Sequence, residues 1–564
     1  MSAAYGSDVV AGLLADLGIA HLAQAPGASL RGLHDSLVHL GRPELITCLH
    51  EEVSVAVAHG YAKAAGRPMA VGLHDVVGLQ HATMAIYNAW CDRVPMLLIG
   101  GTGPVDAARR RPWIDGIHTA SLQALQIRDY TRWDDQPGSL EAVPESLIRA
   151  HRLAVGTPPG PVYVCLDSEI QEREVPDGFR PPAVADYALP RPVAPDPAAI
   201  AELADRLAGA ERPLFMVGGV DRDQRALEDL TALAELLGAA VVEPVQEYNR
   251  PALCFPTGHP LNATGLGSLD PDVAVAVEWP DFRGVPGAWT AEIGTLSFAV
   301  KAWAADLQRI APTALTVPAG AAPSLRALRV AVQNLLEGAP REEARTRSAR
   351  LGERTSRRRA AWRAAATSQN DPRAWIAHAV DEATRGHDRV LANGTLGDWT
   401  HRLWSIGRTD AYLGGSGGAG LGYGLGASIG AALAHRSGGR LVVDLQSDGD
   451  ALMSPQALWT AAHHRLPLLI VVDDNRVYGN SVRHAEQIAV HRGRDPARRL
   501  IGTAVDAPAV DLTAMARSFG VTAEPPVTRP DDLPAALERA VATVTKERRP
   551  VLVGVQTGGD DGRP

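Results

Sequence analysis

No run of about 18 consecutive apolar residues occurs, so a membrane span is not expected. No basic segment precedes the first apolar residues, so no secretion signal is read and a cytoplasmic protein is expected. Cysteine is scarce. Cys48, Cys91, Cys165 and Cys254 are scattered without CxxC spacing, and three of them sit in or beside apolar runs, which points to buried thiols in a reducing cytosol. There is no lysine-rich block, and a net charge of −9 is small for 564 residues; both argue against nucleic acid as a main partner. No GxGxxG follows a strand in the middle of the chain, so a flavin- or nicotinamide-linked oxidoreductase rests there on α/β analogy alone.

What is present is alternation. An apolar content of 46% is ordinary, and the length predicts about three or four domains. In residues 1–178, strand patterns at Ile46–Leu49, Met69–Leu73, Pro95–Ile99 and Val162–Leu166 alternate with helical spacing over Val9–Leu17, Glu51–Ala65 and Leu79–Trp90. Repeated βα units of this kind imply a parallel sheet covered by helices on both faces. A proline-rich stretch to residue 197 reads as an extended linker. Residues 198–340 form a middle α/β region with strands at Leu214–Val217 and Val273–Val277. The Arg- and Ala-rich 341–371 reads as a solvated connecting helix, and 372–564 as a third α/β region. The expected fold is α/β, with three domains that are each a mainly parallel sheet flanked by helices.

The third region carries the most specific pattern. Ser447-Asp448-Gly449-Asp450 ends one apolar run, and Asn475 ends a second 27 positions after Asp448, with a helical stretch, Pro455–His464, between them. A strand–helix–strand unit brings both strand ends to the same edge of a sheet. A carboxylate and an amide oxygen then converge as hard ligands of the kind Mg²⁺ takes. Asp-Gly and Asp-Asp-Asn are also good turn sequences, and alone they decide nothing.

The pattern resembles the diphosphate motif of thiamine-diphosphate (ThDP) enzymes, although Ser447 stands where Gly is usual and Asp474 where Asn is common. The resemblance implies Mg²⁺ held by Asp448, Asn475 and the Val477 carbonyl, with Gly449, Asp450 and Tyr478 around the diphosphate. Glu51, nine positions before Gly60-Tyr61-Ala62, is similar to that family's conserved glutamate. There the carboxylate bonds N1′ of the aminopyrimidine and favours its imino tautomer, with the cofactor as electron sink. An acid at a helix N-terminus is also favoured by the macrodipole, which leaves the Gly-Tyr-Ala spacing unexplained. The run Gly414–Gly430 holds Leu421 where the family has a bulky apolar residue under the cofactor, and the Ala419 carbonyl would accept from its 4′-amino group. The layout implies a homodimer or homotetramer with the cofactor bridging subunits.

Leu73-His74-x-x-x-Gly78 and Asn88-Ala-Trp90 resemble benzoylformate decarboxylase, which maps an active-site histidine onto His74, an imidazole suited to proton transfer near neutral pH. That enzyme's serine falls on Ala28, and its second histidine falls in Trp279–Val285, which has none. Against the acetolactate synthases, His118 and Gln123 occupy the corresponding region. Pro112–Thr119 and His484–Arg494 are similar to 2-hydroxyacyl-CoA lyases, making His484 and Glu486 candidates for substrate contact or members of a surface helix. The short tail ending at Pro564 counts against a CoA lid. The resemblance therefore implies a 2-oxo acid decarboxylase or carboligase, with 2-hydroxyacyl-CoA cleavage or a non-catalytic ThDP-binding paralogue as alternatives.

Overall fold

The computed structural model describes residues 4–244, 252–263, 269–285, 287–336, 342–394 and 396–558. Three parallel sheets form in chain order. The first contains β1 (His21–Gln24), β2 (Glu44–Thr47), β3 (Met69–Leu73), β4 (Met96–Thr102), β5 (Asp134–Asp135) and β6 (Pro161–Asp167), in the order β2-β1-β3-β4-β6-β5. The second contains β7 (Pro213–Val217), β8 (Ala240–Val242), β9 (Val273–Val277), β10 (Trp289–Ile293) and β11 (Leu315–Val317), in the order β11-β10-β9-β7-β8. The third contains β12 (Arg389–Gly394), β13 (Leu441–Ser447), β14 (Leu468–Asp474), β15 (Thr522–Ala523) and β16 (Val551–Gln556), in the order β12-β13-β14-β16-β15. β3, β4, β6, β9 and β14 are buried along their whole length, because helices cover both faces and leave no solvated side. The fold class expected from the alternation is the one observed.

The period of two along each strand decides which neighbour each side chain meets. In the third sheet Val442, Leu468, Ile470 and Val472 share an apolar core with the first domain. Val443, Leu445, Leu469 and Val471 turn the other way, into a core shared with the middle domain. The first of these cores is closed by two helices, Glu51–Ala65 and Tyr423–Ala434, that meet backbone to backbone. A Cβ on Gly60 would lie 1.9 Å from the Ala427 carbonyl oxygen, and one on Gly430 would lie 1.9 Å from that of Val57. Only glycine permits this approach.

Some expectations need correction. The helix read as Leu79–Trp90 begins at Asp75. The stretch read as linker is extended apart from a short turn at Val184–Asp186, but its last residue already opens the helix Pro197–Ala208. Proline fits the first helical position, whose N–H has no intrahelical partner anyway. The connecting helix, Glu342–Thr367, is more than a solvated spacer: buried Arg359 donates to the carbonyls of Thr257 at 3.0 Å and Leu403 at 3.2 Å, tying the middle domain to the third. All four cysteines are buried. No helix of the described residues is long and apolar enough to cross a membrane. Residues 559–564 of the short tail lie outside the described residues.

Candidate active site

β13 and β14 are neighbours with Ser447 opposite Asp473, so Asp448 and Asn475 emerge together at the carboxyl edge of the third sheet. Asp448 is buried; its Oδ1 accepts from Gly449 N at 2.8 Å and its Oδ2 from Arg476 N at 2.7 Å. Burial pushes its carboxyl up to about 7, and neighbouring Asp474 and Asp473 add to the effect. Burial likewise pushes Asp450 and Asp473 up to about 6. Such a concentration of hard oxygen donors, short of compensating cations, fits a divalent cation. Asn475 Oδ1 accepts from Val477 N at 3.0 Å, and the Val477 carbonyl accepts from Gly479 N at 3.0 Å. The Tyr478 ring lies against Gly449, where a Cβ would meet it at 2.9 Å. That close cover and the oxygen set fit a diphosphate with its metal.

The glycine-rich loop is held from both sides. From the first domain, Lys63 Nζ donates to the Gly415 carbonyl at 2.7 Å, and the Asn88 carboxamide brackets Gly420, donating to its carbonyl at 3.2 Å and accepting from its N–H at 3.1 Å. From the third domain, Asp450 Oδ1 accepts from Gly422 N at 2.5 Å and Ser454 Oγ donates to the Gly422 carbonyl at 2.8 Å. Leu421 lies between these two clamps and remains 44% exposed. Ala419 adopts a φ of +53°.

Behind the loop lies a charged cluster that the sequence reading missed. Asp92 is ion-paired with Lys63 and is 2.8 Å from His59 Nε2, while Arg222 of the middle domain donates to the Asp92 backbone carbonyl at 2.9 Å. Burial brings the Lys63 ammonium down to about 8, against the pull of Asp92. Burial also brings His59 down to about 4, with Lys63 adding to it. His59 and Lys63 lie one turn apart on the helix Glu51–Ala65, but Asp92 and Arg222 come from distant positions, so no local spacing signals the whole cluster.

Glu51 opens the helix Glu51–Ala65, capped by His50, whose side chain accepts from Glu52 N at 3.2 Å. Glu51 Oε2 is 3.1 Å from His81 Nδ1, and its Oε1 lies where a Cβ on Gly78 would come within 3.0 Å. The His50 and His81 rings stack at 4.8 Å. Glu52, by contrast, faces Gly422 and Asp450 of its own chain. His74 approaches the same pocket, with Nδ1 2.8 Å from Ser29 Oγ, and its ring meets that of His118 edge-on at 5.4 Å. Ala28 is exposed beside Ser29, so the hydroxyl on His74 comes from the next residue along.

Gln123 does not face this pocket openly. It is 1% exposed, and its Nε2 donates to the Gly101 carbonyl at 3.0 Å and Tyr163 Oη at 2.7 Å, which makes it part of the floor of the first domain. His484 and Glu486 are exposed on the helix Gly479–His491, with Glu486 3.9 Å from Arg499.

Three family models match this sequence: the N-terminal TPP binding domain of thiamine pyrophosphate enzymes at residues 5–126, their central domain at 200–312 and their C-terminal TPP binding domain at 392–555. Benzoylformate decarboxylase of Pseudomonas aeruginosa is 28% identical over 90% of this chain and 91% of its own. Acetolactate synthase 1 of Nicotiana tabacum is 24% identical over 95% of this chain and 80% of its own. Among solved structures, a thiamine diphosphate-dependent 4-hydroxybenzoylformate decarboxylase of Rhodococcus jostii RHA1 superposes with a TM-score of 0.77 at 22% identity, covering 99% of this chain and 100% of that one.

Proposed function

The chain belongs to the thiamine-diphosphate-dependent enzymes, and on that footing we propose that it breaks or makes a carbon–carbon bond beside a carbonyl, with a 2-oxo acid as donor. The observation that carries this reading is that Glu51 and His74 both border Gly78 with His118 edge-on to His74, in a chain that also holds a clamped Leu421 and a separate oxygen-rich edge at Asp448 and Asn475. When bound, the cofactor supplies the electron sink for the broken bond. Asp448, Asn475 and the Val477 carbonyl hold Mg²⁺ at the diphosphate, and Tyr478 covers Gly449. The Glu51 carboxylate holds the proton at N1′ of the aminopyrimidine. Leu421 supports the rings, and the Ala419 carbonyl accepts from the 4′-amino group. His74 and His118 hold or move the proton at the oxygen derived from the substrate carbonyl.

Glu51 turns toward Gly78 and His81, while Glu52 turns toward its own chain's Asp450. This supports a site completed by the diphosphate edge of a second copy, and hence at least a homodimer. The test is to incubate the Mg²⁺–ThDP-loaded protein with a panel of 2-oxo acids and of 2-hydroxyacyl-CoA thioesters and to identify the products by mass. Carbon dioxide with an aldehyde or acyloin is expected. Formyl-CoA with an aldehyde or ketone would replace this reading with that of a CoA lyase.

A further inference from the structure

The pocket holds a buried acid that the proposed chemistry does not yet use. Asp75 is 3% exposed, directly follows His74 and takes a φ of +44°, a left-handed conformation unusual for a residue opening a 17-residue helix. Strain of this kind persists only where the surroundings impose it. Here Ser29 does so: its Oγ accepts from Asp75 N at 3.2 Å and lies 2.8 Å from His74 Nδ1. The result places Asp75 Oδ2 between two imidazoles, 3.5 Å from His74 Nδ1 and 4.0 Å from His118 Nδ1. Among the described residues, Asp75 Oδ1 and His118 Nδ1 are both buried without a hydrogen-bond partner. A buried carboxylate oxygen and a buried ring nitrogen left open at one pocket form an incomplete proton network.

We propose that Asp75 is a positioning residue that couples His74 and His118 into one proton-sharing pair facing the substrate oxygen. The step balances without any co-reactant: the proton moves between an imidazole nitrogen and the substrate oxygen, and Asp75 forms no bond to the substrate. Burial draws the His74 imidazole below its ordinary range, Asp75 opposes this most strongly, and Glu51 also favours the charged ring, while His118 and Arg111 disfavour it. Burial pushes the Asp75 carboxyl above its ordinary range; His74, Ser29 and His118 oppose this and the like charge of Asp115 adds to it, while the buried Tyr163 and Cys165 lie close enough to feel its charge. Removing the carboxylate charge therefore makes His74 release its proton at lower pH. In the reaction, the inference rests on the decarboxylase–carboligase reading; the geometry it tests does not.

The test is an NMR titration of the full-length protein without cofactor, labelled at histidine, with His74→Asn and His118→Asn used to assign the two rings. Asp75→Asn keeps the size and tolerates a positive φ, whereas Asp75→Gly relieves the strain outright. In both variants the titration midpoint of His74 is expected to fall by about one pH unit. The alkaline limb of kcat, once a substrate is known, should fall with it. Midpoints unmoved in both variants, with a raised melting temperature in Asp75→Gly, would reduce Asp75 to a strained turn residue and overturn the proposal. Stoichiometric Zn²⁺ binding that Asp75→Asn abolishes would also overturn it, in favour of a metal held by the three side chains. Neither readout needs turnover, so a failure here is separable from a failure of the proposed reaction.

Discussion

Gly60→Ala sets two physical effects against each other. Gly60 lies in the interior of the helix Glu51–Ala65, where helix propensity alone favours alanine by about 1 kcal/mol. Packing opposes it. The added Cβ would sit 1.9 Å from the carbonyl oxygen of Ala427 and within 2.6 Å of its Cα, whereas ordinary contact begins near 3.4 Å. The obstacle is backbone on a packed helix and cannot rotate aside, so the two helices must part by about 1.5 Å, and overpacking of this kind costs roughly 1–3 kcal/mol or more. The expected outcome is a net loss of stability. Gly12 supplies the control: it lies in the helix Gly6–Asp16 with nothing within 4 Å of its would-be Cβ, so Gly12→Ala should stabilise by about 0.5–1 kcal/mol. Thermal and urea unfolding of both variants decide the matter. If Gly60→Ala melts higher than the parent, as Gly12→Ala should, the close helix contact between the first and third domains is refuted.

Three further outcomes are expected. Glu51→Gln should lower turnover at least about 100-fold while the protein still binds ThDP, as read by tryptophan quenching; unchanged turnover would remove Glu51 from the mechanism. Lys63→Met should destabilise by about 3–5 kcal/mol, because it leaves the Asp92 carboxylate buried without its main cation. Adding Asp92→Asn should recover part of that loss in urea unfolding, and strictly additive effects would refute the coupling. The pH dependence follows from carboxyls raised in the folded state: Asp448 to about 7, and Asp450 and Asp473 to about 6, from an ordinary 3.8. Folded protein binds these protons more tightly than unfolded protein does, so stability without metal should decline as the pH rises from about 4 to about 7. Mg²⁺ with ThDP should offset the decline by replacing the protons, and chelation should restore it. A stabilisation by Mg²⁺ that does not grow between pH 5 and pH 8, measured by melting temperature, would count against the metal assignment.

Short elements escaped the sequence reading for a definite reason. β8 and β11 have three residues each and β15 has two, too few to display a period or a run. β3, β9 and the helix Glu51–Ala65 agree to the residue with their apolar patterns. Beside His74, the resemblance points to Ala28, and the 3₁₀ turn over Ala28–Leu30 buries the neighbouring Ser29 and leaves Ala28 exposed. Gln123 is a substrate candidate by its region, and its amide nitrogen donates to Gly101 and Tyr163 inside the first domain.

The sequence by itself determined the three α/β domains, the strand ends that carry Asp448 and Asn475, and the helix that begins at Glu51. These depend on periodicity, strand termini and helix capping, which are local properties of consecutive residues. Tertiary structure alone decided that Gly60 and Gly430 serve helix contact, that Lys63, Asp92, His59 and Arg222 share one buried charge cluster, and that Asp75 sits between two histidines. Each grouping is completed by at least one residue far along the chain or on another domain, and its chemistry comes from burial and distance, which exist only once the elements have packed.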